Sequence, residues 1–135
     1  MKLYTQLNFG GNCEEAFLYY EKHVGGKITT MMKASHRLAG TPVPGSPDLV
    51  IHAVLAVAGG ELIGNDVPQG RFKGMRSSYL FLSVDSPEEA ERIYAALSEG
   101  GEETVPMEET FFATRFGQLR DQFGVLWTVL HQKPR

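Results

Sequence analysis

An α+β fold is what the sequence predicts: two paired βαβββ modules whose sheets close into a curved mixed-sheet cup. Three observations predict it. A strand–helix–strand pattern occurs twice, its landmarks 74 or 75 residues apart. The strand-like segments alternate with a period of two. Glycine, at 15 of 135 residues, punctuates the ends of the expected elements.

Module one, residues 1–67, opens with a strand over Leu3 to Phe9. Leu3, Leu7 and Phe9 share one parity and Tyr4, Gln6 and Asn8 the other. Gly10-Gly11 ends it. Asn12 stands at a helix cap with Glu15 three residues on, a variant of the capping box. Ala16, Phe17, Tyr20 and Val24 follow at helical spacing, and Gly25-Gly26 stops the helix. Lys27 to Met32 reads as a second strand. Ser35 to Asp48 holds three prolines and two glycines and reads as a long loop, on which His36 and Arg37 could act as a lid. Leu49 to Val57 and Glu61 to Asp66 form a hairpin around Gly59-Gly60.

Residues 68–75 read as a linker, with Arg71, Lys73 and the adjacent Arg76 taken as solvated charges. Module two, residues 76–135, repeats the plan. Tyr79 to Val84 is a strand. Ser86-Pro87-Glu88-Glu89 is a helix start, with a hydroxyl cap, proline at the first helical position and Glu three after the cap. Ala90, Ile93, Tyr94 and Leu97 form its apolar stripe, and Gly100-Gly101 stops it. Val105 to Met107 is a short strand. Thr110 to Asp121 and Val125 to His131 form the last hairpin.

The repeat ties these elements together. Asn12 and Ser86 are 74 residues apart, as are Glu15 and Glu89, Ala16 and Ala90, Tyr20 and Tyr94, and Gly26 and Gly100. The preceding strands match at 75, pairing Tyr4 with Tyr79 and Leu7 with Leu82. Each helix covers one sheet face. The parity left for the cup is Tyr4, Gln6, Asn8, Tyr79, Phe81 and Ser83, a polar and aromatic set suited to a cavity lining.

Composition narrows the function. Apolar residues make up 42% and charged residues 21%, which is globular rather than disordered. Thirteen basic and sixteen acidic residues leave a net charge of −3, which argues against a nucleic-acid partner. No apolar run approaches the roughly 20 residues of a membrane span, and no signal peptide is visible. The single Cys13 cannot form an internal disulfide and fits a reducing compartment. A cytoplasmic protein is expected, with no membrane partner.

The segments GNCEEAFLYYEKHVGGKI (Gly11 to Ile28), VIHAVLAVAGGELIGND (Val50 to Asp66), SPEEAERIYAALSEGG (Ser86 to Gly101) and EETFFATRFGQLRDQFGVLWTVL (Glu108 to Leu130) resemble the vicinal oxygen chelate superfamily. It includes glyoxalase I, bleomycin-resistance proteins, extradiol dioxygenases and methylmalonyl-CoA epimerase. More narrowly the chain is similar to its PhnB-like branch, over essentially its whole length. The resemblance implies one glyoxalase-like domain over 1–135, the glyoxalase/bleomycin resistance fold and a homodimer; exposed cup edges also commonly need covering.

Catalytic members hold a divalent metal with His and Glu on cup-facing strands, leaving positions open for substrate oxygens. Carried over, the first-strand ligand position falls on Tyr4 and its repeat mate on Tyr79. The final-strand pattern D-P-D-G-x-x-x-E meets Asp121-Gln122-Phe123-Gly124-Val125-Leu126-Trp127-Thr128, so Thr128 replaces Glu. Counted from Gly60 and Gly124, the repeat mate of Thr128 is Gly64. None is a usual ligand, so neither the superfamily metal nor another cofactor is expected. Some relatives carry a ubiquinone-methyltransferase label, but the sequence offers no glycine-rich strand-to-helix turn built for S-adenosylmethionine.

The expected ligand-binding residues are His52, Tyr4, Gln6, Tyr79, Phe81, Glu109, Arg115 and Thr128. His52 lies on the parity of Val54 and Ala56, away from the greasier Ile51, Ala53 and Leu55; it reads as a proton shuttle or hydrogen-bond anchor, or else as a structural histidine. Arg115 can clamp an acidic group or pair internally with a carboxylate such as Glu109. Trp127 and Phe123 read first as core. Cys13 sits at a helix start, where thiolate is favoured, but no histidine base accompanies it. Three readings follow: a metal-free protein binding a small molecule, a divalent-metal-dependent lyase, isomerase or dioxygenase, and a non-catalytic structural or regulatory dimer.

Overall fold

The computed structural model describes residues 1–36, 48–68 and 70–134. The chain divides into two compact units, Met1–Lys73 and Gly74–Arg135, a division that falls within the stretch 68–75.

The first unit runs β1 (Thr5–Phe9), α1 (Cys13–Val24), β2 (Lys27–Lys33), β3 (Val50–Val57) and β4 (Gly60–Asp66), with a 3-10 turn at Ala34–His36. The rest of the expected proline-rich loop, including Arg37, lies outside the described residues. The strands form one mixed sheet in the order β1-β4-β3-β2. The β1–β4 pair is parallel and the others antiparallel. The second unit repeats the plan with β5 (Leu80–Ser83), α2 (Pro87–Ser98), β6 (Glu102–Glu108), β7 (Ala113–Arg120) and β8 (Leu126–Gln132), in the order β5-β8-β7-β6. The βαβββ order and the closing hairpin expected from the repeat are present in each unit, and the two sheets share one strand order.

Alternation sets each core. In the first unit Leu7, Phe9, Ala53, Leu55 and Leu62 are buried with Cys13, Ala16, Phe17 and Tyr20 of α1. Leu3 stands before the strand and is exposed. Phe17 meets Phe9 edge to face, with ring centres 6.0 Å apart. Fully burying such a side chain contributes about 1.5–3 kcal/mol. In the second unit Leu82, Leu119, Trp127 and Val129 are buried with Ala90, Ile93, Tyr94 and Leu97 of α2. Each helix seats an aromatic over a strand glycine. A Cβ on Gly64 would lie 2.5 Å from Phe17 Cζ, and one on Gly117 2.6 Å from Tyr94 Cε2. The Tyr94 hydroxyl donates to Val105 O at 2.9 Å, tying α2 to β6.

The helix N-termini differ from expectation in one case. Ser86 caps α2 as predicted, its Oγ accepting from Glu89 N at 3.1 Å. Asn12 makes no side-chain cap bond. Asp66, at the end of β4, takes its place: Oδ1 accepts from Gly11 N and Cys13 N, each at 3.0 Å, and Oδ2 from Val50 N at 2.9 Å. A carboxylate is favoured there by charge as well as by hydrogen bonding. The helix ends also shift the repeat by one. Gly25 and Gly100 carry the left-handed conformations, at φ 94° and 75°, so Gly100 matches Gly25 rather than Gly26.

Candidate functional site

The face of the first sheet turned away from α1 carries the polar set. Register partners share a face. Gln6 stands beside Ile63 and Asn8 beside Asn65. Val54 also stands beside Ile63, with Thr30 beyond it. Alternation from Val54 puts His52 on this face, next to Met32 across the β2–β3 pair. Alternation from Gln6 puts Tyr4 there too, 46% exposed. The Gln6 amide nitrogen donates to Asn65 Oδ1 at 2.8 Å and to Asn8 Oδ1 at 3.3 Å. Three amides therefore form one cluster on an exposed face that His52 shares. The sequence places Asn8 on the cup face but not among the expected binding residues, and it does not single out Asn65. The alternation Glu61, Ile63, Asn65 carried the signal, since it puts a polar group in line with Ile63 and Gln6.

In the second sheet the face turned away from α2 carries Phe81, Thr128 and Gln118 in one row. Gln118 Nε2 donates to Thr128 Oγ1 at 3.0 Å. Thr128 is buried, whereas Phe81 is 60% exposed. Tyr79 precedes β5 on the parity of Phe81. Trp127 lies on the opposite parity in the core, its Nε1 donating to Asp121 Oδ2 at 2.9 Å.

The structure does not bring Arg115 and Glu109 to that row. Regular alternation from Gln118 puts Arg115 on the opposite face, with His131, Gly117 and Leu119 on the α2 side, where it forms an ion pair with Glu91 and donates to Met107 O at 3.2 Å. Glu109 pairs with Lys133 at 2.8 Å. The hydrogen bond and charge of Lys133 hold its carboxyl below the ordinary range. Both residues have partners within their own unit.

The register also corrects the repeat mate of Thr128. Phe81 stands beside Thr128, and Gln6, the repeat mate of Phe81, stands beside Ile63. The mate is therefore Ile63, whereas Gly64 turns toward α1 under Phe17 and Cys13. The count from glycines fails because Gly60 begins β4 while Gly124 lies in the turn before β8. The ligand positions thus hold Tyr4, Ile63, Tyr79 and Thr128: two phenols, a hydrocarbon and a hydroxyl. That donor set does not fit the imidazole and carboxylate ligands of the superfamily metal. Among the described residues no three His, Cys, Asp or Glu side chains could together hold a metal ion.

Cys13 departs from its expectation as well. Its side chain is fully buried, and burial, aided by the nearby Asp66 and Glu14 charges, pushes the thiol up from 9.0 to about 12. The helix-start effect is outweighed, and the thiol stays protonated at neutral pH.

Comparison with known proteins agrees with this architecture. A family model described as 3-demethylubiquinone-9 3-methyltransferase matches residues 1–130. The chain is 33% identical to Protein YjdN of Escherichia coli (strain K12), covering 99% of each. Protein PA1353 from Pseudomonas aeruginosa, a crystal structure, is 35% identical with a TM-score of 0.87, covering 99% of each chain. A PhnB protein from Bacillus cereus, described as a putative 3-demethylubiquinone-9 3-methyltransferase, is 26% identical with a TM-score of 0.83, covering 97% of this chain and 99% of that one. A glyoxylase/bleomycin resistance protein/dioxygenase domain from Frankia sp. EAN1pec shares the fold at 16% identity, with a TM-score of 0.67 over 98% of each chain.

Proposed function

The chain belongs to the PhnB-like, 3-demethylubiquinone-9 3-methyltransferase family and has the glyoxalase/bleomycin resistance/dioxygenase fold, and from that premise we propose that it binds a small molecule without the metal of the vicinal oxygen chelate enzymes. The amide cluster of Gln6, Asn8 and Asn65, on an exposed sheet face shared with His52, carries the proposal. It lies on the same sheet face as Tyr4 and Ile63, beside the positions where catalytic relatives need His and Glu, and it suits hydrogen-bonded recognition rather than metal chelation. Tyr4, on the same face, adds aromatic surface for a ligand's apolar part. Methyl transfer from S-adenosylmethionine, the activity the family's description suggests, has little support here. The amides at the Gly10-Gly11 turn that could receive an anionic group are already bonded to Asp66.

A thermal-shift screen of metabolites, with and without divalent metal ions, tests the proposal, because a ligand that binds the folded state raises its melting temperature. Metabolites are expected to raise it in metal-free protein, and His52→Ala to shrink the rise. Stabilisation that requires a metal would sink the metal-free reading. An undiminished rise in the His52→Ala variant removes His52 as anchor. The same reading takes the protein as a cytoplasmic homodimer, since sheet-edge strands such as β2 present backbone groups open to cover. Light scattering on a sizing column should return twice the chain mass; a monomer mass rejects the dimer. No helix among the described residues is long and apolar enough to cross a membrane.

A further inference from the structure

The hydrogen-bond directions within the amide cluster carry the reading further. Gln6 Nε2 has two hydrogens, and both are taken, one by Asn65 Oδ1 and one by Asn8 Oδ1. The contact of Asn65 Nδ2 with Asp66 O favours this orientation over the one with all three amides flipped, which would set Asn65 Oδ1 against a carbonyl oxygen. The Asn oxygens face Gln6, so the Asn8 and Asn65 nitrogens point away from it as donors. Asn65 Nδ2 makes only a long 3.5 Å bond, to Asp66 O. Gln6 Oε1 and Asn8 Nδ2 have no protein partner among the described residues. The cluster therefore presents outward donors with an acceptor beside them, and no formal charge. Ile63, Val54 and Met32 lie around it on the same face.

We propose that this cluster selects a neutral carboxamide-like group: a primary amide, lactam or imide. This rests on the small-molecule reading above and names its substrate class. The ligand's carbonyl oxygen accepts from the Asn8 and Asn65 amides while its N–H donates to Gln6 Oε1. A carboxylate offers no donor to Gln6 Oε1, and neutral amides offset its desolvation less well than a guanidinium would. An ammonium finds one acceptor and faces two donors.

Three isosteric probes separate these cases: phenylacetamide, phenylacetate and phenethylammonium. Each is titrated into the full chain while the side-chain amide resonances of Asn8 and Asn65 and the imidazole resonances of His52 are followed by NMR. Phenylacetamide is expected to shift both Asn amide pairs and to bind about tenfold more tightly than either charged probe, as one or two neutral hydrogen bonds allow. Asn65→Asp keeps the acceptor for Gln6 and the side-chain shape, but replaces the outward donor with a charged acceptor. It is expected to lose the preference for the amide and to favour phenethylammonium. Equal or tighter binding of a charged probe by the wild-type chain overturns the inference. So does an unchanged preference in Asn65→Asp. If probes move His52 but neither Asn amide, the amide assignment fails while small-molecule binding on this face stands. If no probe moves any of these resonances, the inference fails, and only the metabolite screen bears on the broader reading.

Discussion

Helices α1 and α2 are both twelve residues long and sit at matching places in their units, yet their N-termini are held by different means. The α2 cap is local: Ser86 bonds the amide three residues on, and Pro87 occupies the first helical position. The α1 cap is remote: Asp66 arrives from β4 and also takes the first amide of β3. Unit two has a comparable carboxylate, but at another place. Asp121 is buried in the β7–β8 turn, where it accepts from Phe123 N, Val125 N and Trp127 Nε1. Both units use one aspartate to organise three donors, the first at a helix start and the second at a turn. A repeat can thus preserve a fold while moving the polar groups that hold it.

Asp121→Ala should have the largest effect on this comparison. It strands two backbone amides and the indole N–H in a buried turn, at a cost of about 4 kcal/mol. Urea unfolding followed by fluorescence of the single Trp127 measures it directly. A loss below about 1 kcal/mol would mean that the turn holds itself. Next comes the contrast between caps. Asp66→Ala should cost about 3 kcal/mol, since a charged acceptor serves three amides. Ser86→Ala should cost about 1 kcal/mol. Equal costs would break the distinction between remote and local capping.

The two strand glycines sharpen it at a smaller scale. Gly64→Ala and Gly117→Ala each push a methyl into an aromatic ring of their own helix. Each should cost about 2 kcal/mol by overpacking. Phe17→Leu should recover part of the Gly64→Ala loss and none of the Gly117→Ala loss; recovery of both would deny the pairing of glycine with ring.

The smallest effect is on pH dependence. The folded chain holds the Cys13 proton to about pH 12, whereas an ordinary thiol releases it near 9.0. The stabilisation is complete below pH 9.0 and is lost as pH rises from there toward 12, because only the unfolded chain releases the proton in that window. Tyr94 contributes with the same sign in unit two, between 10.0 and about 12. Cys13→Ala should flatten the alkaline fall in urea-midpoint stability. The native thiol should react with iodoacetamide at pH 8 far more slowly than the urea-unfolded chain. Comparable rates in the two states would contradict its burial.

Element type and order were legible in the residues because they depend on short-range physics. Period-two alternation, a Ser-Pro helix start and paired glycines each act within a few residues. The sequence by itself therefore determined the two βαβββ patterns, the α2 cap and the face on which His52, Gln6 and Phe81 lie. Only the tertiary structure decided the rest, since each remaining outcome depends on a group distant in sequence or on a shift in pairing. Asp66, 54 residues after Asn12, takes the Gly11 and Cys13 amides at the helix start, where Asn12 makes no cap bond. Burial overrides the helix-start effect at Cys13. Glu91, on α2, takes Arg115 as its ion-pair partner, and the turn before β8 makes Ile63 rather than Gly64 the counterpart of Thr128. The joining of Asn8 and Asn65 through Gln6 likewise awaited the parallel pairing of β1 with β4, because cross-strand neighbours follow from register, which local residue preferences do not specify.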